Sequence, residues 1–407
     1  MTSKIALPPM SRRSLCRSSI LAALGAGITG SSSPLSAQAG DAPQGPVNTR
    51  DKFHGCIAGV YVGSSMGAAV EGWDWQRIQK EYGALEKLLP YHHYQGTTDW
   101  VREPGTTEDG VERQKLMIKA ILDKQDRVSA EDVRQAWVKY MNPNAPGVIS
   151  EPFEGTLLAI ARTPVPAADI GKYCDYAGLI SLSRSCHSIG LINAGDIAAA
   201  IEDVHDVGQL YNTANSRAVR WAEVTVVAIA AATRPAATAD SVLGAIFDNV
   251  DRGDTRFFKE MGIRRELDQG LKKTQACKDF REMREKFASI YNCAGIPYSN
   301  SFANEVVTKA VCIFRMTQGN TWEAMKAAVN MGRDTDCLAA VAAGISGALA
   351  GASSIPEALI RQADHATSVN PHTCCKLTIR ETSDALYGAF KARIARMKDF
   401  IRQMDAA

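Results

Sequence analysis

Asn330-Met331-Gly332-Arg333-Asp334-Thr335-Asp336-Cys337-Leu338-Ala339-Ala340, running on to Ala352, is the stretch on which the reading of this chain turns. Two carboxylates flank a threonine just after a glycine turn. Asp and Thr suit a helix N-terminus, where free backbone amides and the helix dipole receive their oxygens. Leu338 to Ala352 then carries Gly344, Gly347 and Gly351. Each helical glycine gives up about 1 kcal/mol of propensity relative to alanine, and a helix that thin packs deep inside a bundle, where a partner backbone comes close. The expectation is two acids held rigidly at the start of a buried helix. Burying them is costly unless a cation or tight hydrogen bonding compensates.

A second stretch repeats the pattern. Gly105-Thr106-Thr107-Glu108-Asp109-Gly110 opens an apolar periodic segment with Leu116, Ile118, Ala120 and Ile121. Alone, it reads as a helix cap with acids in the first turn. Beside the Asp334 cluster it suggests two helix starts converging into a cage of oxygen ligands. Hard oxygens without a matching histidine or cysteine set favour Mg²⁺ or Mn²⁺, with Ca²⁺ as a third candidate, over zinc. A third element precedes both. Gly55, Gly59, Gly63 and Gly67 recur every four residues from Phe53 onward and draw one bare stripe down a helix that ends at Glu71. Such a stripe serves helix packing before it serves chemistry.

The remaining 407-residue chain sets bounds on function. Its 46 basic and 44 acidic residues leave no strongly charged surface, and nothing asks for a nucleic-acid partner. Residues 1–39 hold Lys4, Arg12, Arg13 and Arg17 and no acid. Ser11-Arg12-Arg13-Ser14-Leu15-Cys16 is a twin-arginine pattern, Ser18 to Gly30 is modestly apolar, and Ala37-Gln38-Ala39 offers a cleavage site. The expected division is a signal peptide over 1–39, a flexible lead-in over 40–51 and one helical domain over 52–407, with a periplasmic or secreted mature protein. No later run is a convincing membrane span. The nine cysteines after Cys16 read mostly as buried thiols, and no disulfide pairing is inferred.

The ordered set Gly55–Gly72, Thr107-Glu108-Asp109 and Gly332–Cys337 resembles the ADP-ribosylglycohydrolase family, which includes the dinitrogenase reductase-activating glycohydrolases. His187-Ser188-Ile189-Gly190-Leu191-Ile192-Asn193-Ala194-Gly195-Asp196 is similar to a mid-chain stretch of the same family. The resemblance spans about residues 52–400 and implies an all-α orthogonal helical bundle with a central binuclear metal cleft. Apolar spacings of three and four, without a series of alternating strands, agree with that independently. The resemblance implies two Mg²⁺ ions, or Mn²⁺, held by Thr107, Glu108, Asp109, Asp334 and Asp336. It places Glu71 near the attacking water or as a further ligand, and gives the base role to Glu108 or Asp109. Asn330, Gly332, Tyr298 and His187 fall at the implied substrate contacts. Tyr298 or Phe302 would meet an adenine, with core packing as the alternative for Phe302.

Three positions depart from the family pattern. Glu108 stands where Asp is usual, Cys337 where a metal-binding Thr is usual, and Ser64-Ser65, directly after Gly63, where an acid is usual. Sulfur is a poor partner for Mg²⁺. The leading expectation is an exported metal-dependent hydrolase cleaving an N- or O-glycosidic bond of an ADP-ribosyl or related ribosyl group, small-molecule or protein-linked. A catalytically weakened ADP-ribose- or nucleotide-binding protein of the same fold is the alternative, and a purely structural helical domain the third. Elsewhere, Trp73–Leu89 reads as a helix, Pro143–Pro166 as a loop, Asp254–Ile290 as charged and helical, and Glu381–Gln403 as a docked amphipathic helix.

Overall fold

The computed structural model describes residues 47–92, 102–142, 152–251, 262–291 and 301–406. Helices α1 (Thr49–Ala68) and α2 (Trp75–Tyr82) come before the first acid-opened helix, α3 (Asp109–Lys124), and α4 (Ala130–Tyr140). Short helices α5 (Pro152–Ala161), α6 (Ala167–Ile170), α7 (Ser181–Ser185), α8 (His187–Ile192) and α9 (Ile197–Gly208) lead into α10 (Arg217–Ala232). Then follow α11 (Ala239–Asn249), α12 (Ile263–Thr274), α13 (Phe280–Ala288), α14 (Ala303–Met316) and α15 (Thr321–Val329). The second acid-opened helix is α16 (Thr335–Ala350), after which α17 (Glu357–Val369) and α18 (Ile379–Asp405) close the chain. The fold is all-helical. Among the described residues the only extended pairings are two isolated bridges, Tyr91 with Arg102 and Leu179 with Phe302.

The centre is built from the two glycine-bearing helices. α1 is buried from Lys52 through Ala68, and α16 from Thr335 through Leu349. They run antiparallel, four residues per step, so that Gly67 meets Thr335 and Asp336, Gly63 meets Ala339, Gly59 meets Ala343 and Gly55 meets Gly347. A Cβ at Gly55 would stand 2.5 Å from the Gly347 carbonyl oxygen, and one at Gly59 would fall on the Ala343 carbonyl. Both obstacles are backbone and cannot rotate aside. The stripe predicted as packing is therefore packing, and it sets how close the two helix ends lie. α10 supplies a third buried element, with every residue from Trp221 to Ala232 inside the core.

Around this centre the expectations hold in part. The helix expected over Trp73–Leu89 covers only Trp75–Tyr82, because Gly83 adopts a positive φ of 69° and ends it. Part of the expected Pro143–Pro166 loop is helix α5, an apolar run that Pro152 can open because a first-turn residue needs no amide donor. α18 docks as expected over its first half. Phe53 of α1 meets Tyr387 edge-on at 5.4 Å and Phe390 at 5.6 Å, and Arg393 is buried against Asn193 and Asp196. Arg396 still reaches Asp126, but beyond it the helix stands free of the core, and Met397, Phe400, Ile401 and Met404 are exposed.

Candidate metal and active centre

Two turns carry the acids to the helix starts. Before α16, Gly332 and Arg333 both adopt positive φ, 77° and 70°. The left-handed conformation costs a non-glycine residue about 1–2 kcal/mol, and Arg333 is held in it from both sides. Its amide donates to the Trp73 carbonyl at 2.7 Å, its carbonyl accepts from the Gly72 amide at 2.8 Å, and its guanidinium grips Glu305. The same bonds fasten the segment after α1, and with it Glu71, beside the start of α16. Before α3, Glu108 is the cap: its carboxylate accepts from the amides of Gly110 (2.5 Å) and Val111 (2.9 Å). Asp334 caps α16 by accepting from the Cys337 amide.

These turns bring the two acid clusters together in the core. One carboxylate oxygen each from Glu108, Asp109 and Asp336 lie within 4.8 Å of one another, and so do ligand atoms of Asp334, Asp336 and Cys337. Glu108, Asp109, Asp334 and Asp336 are all at most 3% exposed. Burial pushes the Glu108 carboxyl up to about 7, the Arg184 guanidinium pulling against it. Burial also raises Asp334 and raises Asp336 well above the usual carboxylate range, with the Glu71 charge adding to both. The Cys337 thiol is raised by burial too, so it stays protonated. Such a group of acids binds a cation readily.

Part of that cation is already in the chain. Arg184, on the short helix α7, extends its guanidinium into the cluster. It donates to Asp109 Oδ2 at 2.6 Å and to Glu108 Oε2 at 3.0 Å, and lies 3.4 Å from Asp336 Oδ2 and 3.2 Å from Cys337 Sγ. Arg113, one turn along α3, also holds Asp109 at 2.5 Å. Ser64 of α1 donates to Glu108 Oε1 at 2.5 Å. Glu108 and Asp109 are thus engaged by protein donors. By contrast, Asp334 Oδ2 and Asp336 Oδ1 are buried without a hydrogen-bond partner. Two orphaned carboxylate oxygens on one helix start fit a hard divalent ion, which the Asp334–Asp336 side of the centre would hold.

Not every expected residue enters this centre. The Thr107 hydroxyl, expected as a ligand, is taken by Glu112 (2.7 Å) and Lys115 (3.0 Å) and forms a separate buried network with Thr373. The Asn330 amide, expected at the substrate, pairs with both the amide and the carbonyl of Leu85 and with the Lys326 carbonyl. It ties α15 to the loop after α2. His187 is fully buried, with Nε2 3.1 Å from the Ala340 carbonyl of α16, and burial lowers it to about 4. Gly332 packs against the backbone of Asp74 and Trp75. Glu71 is half-buried beside Asp334 and Asp336. Tyr298 lies outside the described residues, as do residues 1–39; Phe302 fills the space at Gly178 and caps α14. A cavity of ≈ 630 Å³ beside α12, lined by Arg265, Glu266, Gln269 and Tyr291 among others, contains none of the clustered acids.

Arg184 and Ser64 were not foreseen as site residues. Nothing in Ser181-Leu182-Ser183-Arg184-Ser185 marks the arginine as different from a surface one. Only the cluster itself, with more acids than its own helices neutralise, signalled that a cation had to arrive from elsewhere.

An all-helical frame whose centre gathers four buried carboxylates at two helix starts defines a class: helical proteins able to hold a divalent ion at the core. The profile of the ADP-ribosylglycohydrolase family matches residues 45–395, and the chain belongs to that family. Membership makes it a glycosidase of the hydrolase class, in a family that depends on metal and acts on ADP-ribosyl substrates. Among solved structures, one titled "ADP-ribosylglycohydrolase-related protein complex" is similar in fold. Its TM-score is 0.58 at 17% identity, over 84% of this chain and 98% of that one. No curated protein matches the sequence.

Proposed function

We propose that this chain is an exported, divalent-metal-dependent hydrolase that cleaves the glycosidic bond joining an ADP-ribosyl or related ribosyl group to nitrogen or oxygen. The observation that supports it most is the pair of orphaned oxygens, Asp334 Oδ2 and Asp336 Oδ1, buried beside Glu108 and Asp109. When bound, Mg²⁺ or Mn²⁺ supplies a grip on ribose hydroxyls and a lowered pKa for an attacking water. The chain's own residues supply position and proton transfer. Arg113 and Arg184 clamp Asp109, and Ser64 and the first amides of α3 clamp Glu108. Both of these acids are buried, and the general-base role passes to Glu71 on exposure. Of the three acids considered, it alone is reached by solvent. A base must meet its water, and a half-buried carboxylate beside the orphaned aspartates does.

Export rests on the twin-arginine pattern at Arg12-Arg13 and the small residues Ala37-Gln38-Ala39 that follow its apolar run. Replacing both arginines with lysine should leave the protein uncleaved inside the cell; unchanged export would remove this part.

The second reading, a nucleotide-binding protein without turnover, is favoured by Arg184 and Cys337 at positions that face the acids. One experiment separates the two. Chelator-treated protein is titrated with ADP-ribose in the presence and absence of Mg²⁺, and then offered a panel of N- and O-linked ADP-ribosyl and ribosyl compounds. Metal-dependent release of the sugar supports the hydrolase. Binding of ADP-ribose without release from any compound supports the second reading.

A further inference from the structure

We propose that the Arg184 guanidinium is a resident cation that takes the place of one metal ion, so that this centre holds a single divalent ion on its Asp334–Asp336 side. The inference rests on the reading of the acid cluster as a metal centre and narrows it from two ions to one. Three acids, Glu108, Asp109 and Asp336, could together ligate an ion, and Arg184 is within hydrogen-bond reach of all three. A guanidinium binds carboxylates through a planar fork and cannot be deprotonated to make way for a metal. An ion on those oxygens would meet its nitrogens at contact distance, two positive charges in a buried site.

The surroundings are shaped to Arg184. A Cβ at Gly110 would stand 2.6 Å from its Cδ, 2.7 Å from Nε and 2.9 Å from Cζ, so the residue after Asp109 has no room for a side chain while the arginine is in place. Its side chain is only 8% exposed. Cys337 lies where the two sides meet: its sulfur is 3.2 Å from Nη1 and also groups with Asp334 and Asp336, and sulfur is a poor ligand for a hard cation. On the other side of Asp336 the picture reverses. Asp336 Oδ1 and Asp334 Oδ2 receive no donor from Arg184 or from any other described group. Asp336 therefore offers one oxygen to the arginine and the other to the remaining ion.

Counting ions tests this without relying on turnover. Chelator-treated full-length protein is titrated with Mn²⁺ alone, with free Mn²⁺ and the spin signal of bound Mn²⁺ read by electron paramagnetic resonance. The proposal predicts one Mn²⁺ per chain with an uncoupled signal, and two per chain with a spin-coupled signal in Arg184→Ala. Arg184→Lys, which keeps a positive charge, should stay at one. Two coupled ions in the unaltered protein would overturn the proposal while leaving the metal centre intact, and no ion in any form would overturn both. A folded Arg184→Ala protein that still binds one ion would also overturn it. Should that variant not fold, the counts in the unaltered protein and in Arg184→Lys decide.

Discussion

Thr335 donates its hydroxyl to the carbonyl of Gly67 at 2.8 Å, joining the last turn of α1 to the first turn of α16 at the point where Asp336 enters the acid cluster. The bond can form because residue 67 has no side chain: a Cβ there would sit 2.5 Å from the Asp336 amide nitrogen and from the Thr335 carbonyl. Helix packing and site geometry thus depend on the same atoms.

Gly67→Ala should accordingly cost stability and metal together. The obstructing atoms are backbone, so the helices must part, at about 1–3 kcal/mol for an overpacked core. Asp336 would move with them, and Mn²⁺ affinity should fall. Gly244→Ala is the control. That glycine lies inside α11 with nothing within 4 Å of an added Cβ, so the change should stabilise by about 0.5–1 kcal/mol through helix propensity. Urea melts and Mn²⁺ titrations of both variants check the pair. Equal behaviour of the two would show that the α1–α16 contact tolerates separation.

Cys337→Thr should tighten Mg²⁺. Burial keeps the Cys337 thiol protonated, whereas a threonine hydroxyl at the same place offers a hard oxygen. A gain of about tenfold, roughly 1.4 kcal/mol, is the expected scale. Calorimetry on chelator-treated protein measures it, and equal or weaker binding removes sulfur as the reason the site departs from its family's pattern.

Removing metal should lower stability, because the ion binds the folded cluster and not the unfolded chain. At a free Mg²⁺ concentration a hundredfold above Kd, linkage gives about 2.7 kcal/mol. A melting temperature that does not change on adding chelator would argue that the acids are balanced by protein groups alone.

His187 predicts a pH dependence away from the metal. Its folded-state pKa is depressed from 6.5 to about 4 because the ring is buried against α16. Between those values the unfolded chain binds the proton and the folded one does not. The stability His187 contributes is therefore complete above pH 6.5 and lost as pH falls towards 4, by about 3 kcal/mol from the linkage relation. His187→Gln should flatten that part of the pH–stability curve relative to the unaltered protein, whatever it costs overall. A slope unchanged by the substitution would mean that His187 is not buried in its neutral form.

The helical architecture was legible because each signal was local. A glycine every four residues, an acid-and-hydroxyl turn before an apolar run and spacings of three and four all survive in the linear sequence. The convergence of Glu108 and Asp109 with Asp336 was legible too, through the repetition of one kind of helix start. The details of the centre were not, since they depend on who arrives from elsewhere. Thr107 could not be seen turning away to Glu112 and Lys115, 5 and 8 residues on. Asn330 bonds Leu85 across 245 positions. Arg184 meets Asp336 across 152, and nothing in its own neighbourhood announces it. Ser64 came nearest to detection, noticed as a missing acid and not as the donor that holds Glu108.

The central claim is that carboxylates from two distant helix starts share a divalent ion, and Asp336 is the residue both sides need. Asp336→Asn keeps the shape of the side chain and removes its charge. Calorimetric titration of Mn²⁺ into chelator-treated protein should show saturable binding in the unaltered chain and its loss, by at least about a hundredfold in Kd, in Asp336→Asn. Undiminished binding in the variant, or no binding in the unaltered chain, would contradict the account.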